Sequence, residues 1–286
     1  MLESRPLRSV LYVPASKRRA LEKAAGLPVD AIIFDLEDAV APDAKDDARK
    51  ALAGMLREGD FGGRMRIVRV NGAETEWGAA DLSAFADLPV DALLLPKVDV
   101  PDDVARVADA LAGRAQVWAM METAKGVSNA ADIARVPGIG GFVLGTNDLA
   151  KELGCRPGPD RMPLMTVLQT CLLAARLGGI PCIDGVCNAF QDAEGLRTEC
   201  EQGRDLGMDG KSLIHPAQIA VANEVFAPSG EEVELARRQI AAFEDARARG
   251  EGIAVLDGRI VENLHIDIAR RTLARADAIA RGGSEA

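Results

Sequence analysis

One pattern constrains this chain more than any other. A short apolar run, a polar turn and a helix-length segment follow one another from the N-terminus, and the apolar runs number eight: residues 9–13, 31–36, 66–70, 92–96, 117–121, 141–144, 180–186 and 210–214. Helix-length segments at 17–25, 43–56, 101–112, 163–177 and 193–206 fill most gaps, and 216–226 follows the last run. Parallel strands need such crossovers, and eight βα units close most economically into a (β/α)8 TIM barrel. Residues 66–88 carry the weakest helix signal. An open doubly wound sheet would need a glycine-rich first turn, and Pro14-Ala15-Ser16-Lys17 is not one.

The rhythm changes past residue 228. Ser229-Gly230-Glu231-Glu232 reads as a cap, followed by a long helix to about Gly250, a hairpin turning at Asp257-Gly258 and a final amphipathic helix over 266–280. The expected organisation is a catalytic barrel over 1–228 and a helical and hairpin extension over 229–286. The extension is too small to fold alone, so it should pack on the barrel or on a neighbouring subunit.

Composition narrows the function classes. A net charge of −10 with both signs interspersed argues against nucleic acid and against a membrane surface. No apolar run approaches the roughly 18 residues of a membrane span, and the first residues lack a signal peptide's apolar core. Five cysteines without a CxxC pair suggest reduced thiols and a cytoplasmic protein. Two histidines, His215 and His265, exclude a multi-histidine zinc site.

In such a barrel the chemistry sits at the C-terminal strand ends. There the chain places Asp35-Leu36-Glu37-Asp38, then Arg69-Val70-Asn71-Gly72, Pro96-Lys97, Glu122 and Gly145-Thr146-Asn147-Asp148. Glu122 and Asp148 close two runs separated by a helix-like segment, 128–136. Adjacent parallel strands lie roughly 4.8 Å apart, so the two carboxylates can converge on one cation. Two hard oxygen ligands with open positions suit Mg²⁺. Alternatively, Glu122 is a loop acid and Asp148 a helix cap. Asp35, Glu37 and Asp38 either cap the next helix or face a cation that offsets their repulsion. Arg69 is a carboxylate clamp or a surface ion-pair partner. Gly145, Thr146 and Asn147 offer backbone N–H groups to the same carboxylate. Lys17-Arg18-Arg19 holds phosphates or is a solvated helix face. His215 reads as a structural cap. The P-loop-like 205–212, the glycines before 141 and the missing G-x-S-x-G elbow lead nowhere.

SVLYVPASKRRALEKA, IIFDLEDAV, RVNG, LLLPKV, METAKG, GTNDLAKELG and SLIHPAQI occur in this order. Together they closely resemble the citrate lyase beta-subunit-like family of Mg²⁺-dependent acyl-CoA lyases, in the HpcH/HpaI aldolase/citrate lyase superfamily. The resemblance implies a TIM barrel that cleaves malyl-CoA or citramalyl-CoA reversibly into acetyl-CoA and a 2-oxo acid. It makes Glu122 and Asp148 the Mg²⁺ ligands and Arg69 the grip on the oxo-acid. Glu37 and Asp38 would hold metal-bound waters, and Lys17 and Arg18 coenzyme A phosphates. A homotrimer or hexamer is implied. Relatives carry an aspartate in a C-terminal D-G-x-M-[IV]-D motif that serves a neighbour's site; here Asp257-Gly258-Arg259-Ile260-Val261-Glu262 ends in glutamate. A shift of about 1 Å can cost around a hundredfold in rate, so Glu262 either acts in a rebuilt site or marks a different substrate. Two alternatives stand beside the lyase. A class II aldolase on free hydroxy-oxo acids is disfavoured because its histidine near the second strand is absent. The other is an assembly subunit with weakened catalysis.

Overall fold

The computed structural model describes residues 5–284, with side chains to residue 282. These residues fall into two compact units, Leu7–Phe226 and the residues flanking it. In the first unit every expected strand forms: β1 Ser9–Pro14, β2 Ala31–Asp35, β3 Met65–Arg69, β4 Ala92–Leu95, β5 Gln116–Met121, β6 Ile139–Leu144, β7 Cys182–Asp184 and β8 Gly210–Leu213. All are parallel and each pairs with the next. Ser9 and Val10 of β1 pair with Lys211 and Ser212 of β8, closing the barrel.

Helices cover the outside: α1 Arg18–Ala24, α2 Lys45–Glu58, α3 Gly78–Phe85, α4 Pro101–Leu111, α5 Ala124–Ser128, α6 Ala130–Ile133, α7 Thr146–Leu153, α8 Met165–Gly178, α9 Ala193–Leu206 and α10 Ile219–Val225. Strands buried on both faces read as continuous apolar runs. Within them the two-residue pleat sorts side chains between two cores. Val10, Ile33, Ile67, Leu94, Trp118, Met120, Val143 and Ile183 fill the barrel interior. Ile32, Phe34, Val68, Leu93 and Ala119 face the helices.

Several boundaries differ from the sequence reading. The helix expected over 128–136 begins earlier and is broken. The Thr123 hydroxyl caps it by accepting from Gly126 N–H, and Asn129 leaves helical geometry, splitting it into α5 and α6. Strand β7 is only three residues long, against seven expected. The weak segment 66–88 contains one short helix, α3.

The second unit holds α11 Gly230–Ala248, the hairpin β9 Ala254–Leu256 with β10 Arg259–Val261, and α12 Asn263–Ser284. Ser229 and Glu232 form the capping box read from the sequence. Asp257 and Gly258 both take positive φ, 47° and 74°, as a two-residue type I′ turn requires. The last helix runs longer at both ends than 266–280. Ala246, Ala254, Val261 and Ile266 form its small core. Among the described residues no helix is long and apolar enough to cross a membrane.

Candidate active site

The pleat that sends Ile33, Ile67, Met120 and Val143 into the barrel also decides what crowns it. Two residues further along the same strands come Asp35, Arg69, Glu122 and Gly145, and on β1 Tyr12 follows Val10. These five line a cavity of about 370 Å³ together with Asp38, Thr146, Asn147 and Asp148. Sites for small ligands commonly measure roughly 300–1,000 Å³.

Asp35 and Arg69 are register partners on β2 and β3. Arg69 Nε and Nη2 each donate to the Asp35 carboxylate at 2.7 Å. Asp35 also accepts from the Glu37 and Ala39 amides at 2.9 and 3.2 Å, so it caps its own loop and not the following helix. Arg69 Nη1 lies 2.9 Å from Glu37 Oε2 and 3.7 Å from Asp38, and its guanidinium covers the Tyr12 ring at 5.1 Å. Burial alone would lower the pKa of Arg69, but the bonds and charge of Asp35 hold it above the ordinary value. The bidentate fork foreseen for a substrate is therefore spent on Asp35. What Arg69 keeps for a ligand is the positive charge and the outer N–H groups. Glu37 is buried behind it and does not line the cavity. Burial raises its pKa, and Arg69 opposes the rise.

Glu122 is 2 % exposed. Its Oε1 accepts from the Lys97 backbone amide at 2.8 Å, and Lys97 takes a positive φ of 49° at the end of β4. Lys97 Nζ lies 3.5 Å from Glu37. Burial pushes the Glu122 carboxyl up to about 7, Glu37 and Asp148 add to the rise, and the Lys97 amide and Arg69 oppose it. Met121 and Leu144 are register partners, which sets Gly145 beside Glu122. A Cβ on Gly145 would meet the Cβ and Oε2 of Glu122. Asp148 sits in the first turn of α7, half-buried, and lines the cavity.

The donor set fits a divalent cation. Asp35, Glu37, Asp38, Glu122 and Asp148 oppose Arg69, Lys97 and Lys45, leaving two formal negative charges in excess. Among the described residues no three His, Cys, Asp or Glu side chains converge as an all-protein metal cage. Two carboxylates with positions open to water and ligand oxygens are the set Mg²⁺ takes. Gly145→Ala should therefore displace Glu122 and weaken Mg²⁺ binding at least about tenfold, the scale of a disturbed supporting contact. Calorimetric titration reads this directly, and wild-type affinity in the variant would mean that the close approach of Gly145 is incidental.

Other expected residues lie elsewhere. Lys17 and Arg18 open α1, exposed and outside the cavity lining, with Arg18 ion-paired to Glu22 at 2.9 Å. His215 accepts from the Ala217 amide through Nδ1, the structural cap read from the sequence. Lys211, in the P-loop-like segment, is wholly buried in β8 with Asp184 and Glu199 each at 3.0 Å. Glu262 follows β10 directly in the second unit, exposed, with its amide donating to His265 Nδ1. Tyr12, Asn188 and Lys45 were missed. Tyr12 was legible, since it continues the inward alternation of β1. Asn188 pairs with Asn147 through reciprocal amide bonds at 2.8 and 3.3 Å, a contact between the loop after β7 and the first turn of α7 that no local pattern signals.

Comparison with known proteins identifies relatives over almost the whole chain. The HpcH/HpaI aldolase/citrate lyase family model matches residues 8–216. A protein of Cereibacter sphaeroides named (3S)-malyl-CoA thioesterase is 62 % identical over 278 residues, 97 % of each chain. The citrate lyase subunit beta of Escherichia coli is 34 % identical, over 96 % of this chain and 95 % of its own. The crystal structure of CitE from Mycobacterium tuberculosis in complex with magnesium, acetoacetate and coenzyme A superposes with a TM-score of 0.82 at 31 % identity, covering 96 % of this chain and all of that one. With its closed barrel, its acidic cavity and a match spanning almost its whole length, the chain belongs to the HpcH/HpaI aldolase/citrate lyase family.

Proposed function

We propose that this chain is a Mg²⁺-dependent enzyme acting on malyl-CoA-type thioesters, and that it hydrolyses (3S)-malyl-CoA to malate and coenzyme A. The observation that carries the reading is the convergence of Glu122, Asp148 and Arg69 on one cavity, in a chain 62 % identical to proteins named for that hydrolysis. Glu122 and Asp148 hold the Mg²⁺, which supplies Lewis acidity toward the substrate oxygens. Arg69 adds positive charge at the carboxylate end, and Glu37 and Asp38 hold it there with Asp35. The N–H groups of Thr146 and Asn147, the first two residues of α7, receive the same carboxylate; Gly145, expected to join them, instead donates its N–H to Met121 O at 3.1 Å. Water adds to the thioester carbonyl, the C–S bond breaks, and the coenzyme A thiolate leaves and takes up a proton. Lys17 and Arg18 meet the coenzyme's phosphates. The reading places the enzyme in the cytoplasm, consistent with its five free cysteines.

Carbon–carbon cleavage of the same thioester to acetyl-CoA and glyoxylate is the second reading. The 34 % identity to citrate lyase subunit beta favours it, and it uses the same grip on the hydroxy acid. Product analysis separates the two. Purified protein with Mg²⁺ and (3S)-malyl-CoA should release free thiol and malate in equal amounts. Glyoxylate with acetyl-CoA and no free thiol would establish the lyase instead, and no turnover of malyl-, citramalyl- or citryl-CoA would leave an assembly subunit.

Glu262 is the acid expected to serve a neighbouring subunit in a homotrimer. Exposed Val255 and Ile260, paired across the hairpin, support an interface on that unit. Glu122→Gln and Glu262→Gln should each be inactive alone and recover part of the activity when co-assembled. Verified mixed oligomers with no recovery would remove Glu262 from the site.

A further inference from the structure

Lys45 opens α2 and does not line the cavity, yet it is only 6 % exposed. Its Nζ donates to the backbone oxygens of Leu36 at 2.9 Å and Glu37 at 3.0 Å, and to Asn71 Oδ1 at 2.6 Å. That uses all three ammonium protons. The Trp77 ring covers the same nitrogen, 4.9 Å from centroid to Nζ. No hydrogen-bond partner here is a carboxylate, although buried ammonium groups ordinarily pair with one. Burial pulls its pKa below the ordinary value, and the more distant charges of Glu37, Asp35, Asp81 and Asp38 oppose that.

The three acceptors share one location. Leu36 and Glu37 form the loop after β2, and Asn71 lies two residues past Arg69 at the end of β3. Asn71 in turn donates from its side chain to Leu36 O at 3.1 Å and Asp81 at 2.6 Å, and from its backbone to Asp81 at 2.8 Å. Asp81, in α3, is wholly buried and ion-paired with Arg49 of α2. A single cation thus ties two strand ends to each other and to the two helices that follow them. Those strand ends carry Asp35, Glu37, Asp38 and Arg69.

We infer that Lys45 is a positioning residue, whose ammonium locks the end of β2 against the end of β3 and so holds Asp35 and Glu37 where they aim Arg69 at the carboxylate end of the substrate. The inference rests on the functional reading above. A convergent ammonium meets three acceptors from one point, which neither an apolar side chain nor the flat arginine fork can do. Without it, the two strand ends relax independently, and the carboxylate grip loosens while the rest of the site stays whole. Supporting contacts of this kind are worth about ten- to a hundredfold in affinity or activity.

Full-length Lys45→Met and Lys45→Arg, checked for fold by circular dichroism, are titrated by calorimetry with Mg²⁺, with malate in the presence of Mg²⁺, and with coenzyme A. Malate binding should weaken at least tenfold in both variants, with Mg²⁺ and coenzyme A affinities within about threefold of wild type, inside the tenfold step of 1.4 kcal/mol. Should Lys45→Met fail to fold, Lys45→Arg decides alone by the same measurement. Wild-type malate affinity in a folded variant overturns the inference, and so does an equal loss for malate and coenzyme A. A wild-type protein that binds Mg²⁺ but no malate sinks the functional reading and this inference with it. Wild-type binding matched by the variants sinks the inference alone.

Discussion

Glu122→Gln is expected to remove Mg²⁺-dependent turnover while leaving the barrel folded. Glutamine keeps the shape and keeps an oxygen for the Lys97 amide, now 2.8 Å from the carboxylate. It removes a charge that burial already disfavours. The urea midpoint without metal should therefore equal or exceed that of the wild type. Activity should fall on the order of a thousandfold or more, because the metal's contribution is several kcal/mol and each 1.36 kcal/mol is tenfold in rate. Mg²⁺ titration is the deciding measurement. A variant that binds Mg²⁺ as the wild type does would show that Glu122 is not a ligand.

Arg69→Met is expected to have the opposite balance, a large effect on stability as well as on activity. Arg69 is 7 % exposed, and its loss takes from Asp35, 2 % exposed, its buried counter-charge and two of its four hydrogen bonds, leaving only the Glu37 and Ala39 amides. Breaking a buried pair from one side costs about 3–5 kcal/mol. Arg69→Lys restores the charge but not the fork, so it should recover part of the stability while the acid end of the substrate still binds weakly. Coenzyme A affinity should change little. Urea unfolding beside malate and coenzyme A titrations checks both halves. An Arg69→Met protein as stable as the wild type would mean that Asp35 finds other partners or takes up a proton.

The strand ends explain why so much was legible in the amino-acid order. A strand buried on both faces is an apolar run, and a two-residue pleat assigns every side chain to a face. Asp35, Arg69 and Glu122 each lie two residues past an interior residue of the same strand, so their convergence follows from eight runs and one closure. The capping box at Ser229 and the turn at Asp257-Gly258 were equally readable, because both act within four residues. What the sequence by itself determined is thus whatever depends on local periodicity and short-range chemistry: the barrel, the ring of charged strand ends and the hairpin.

Tertiary structure alone decided the allocation of partners. Arg69 could have presented its fork to a ligand, and the register that sets it beside Asp35 directs that fork inward instead. Lys45 reads as a helix-surface lysine among Asp43, Asp46 and Asp47, and only the fold turns it beneath two strand ends. The Asn147–Asn188 pair and the burial of Lys211 with Asp184 and Glu199 join residues far apart in the chain. Hydrogen bonds and ion pairs are short-ranged and directional, so which of several plausible partners a charged side chain takes is settled by closure of the barrel, to within a few tenths of an ångström, and by nothing that its sequence neighbours encode.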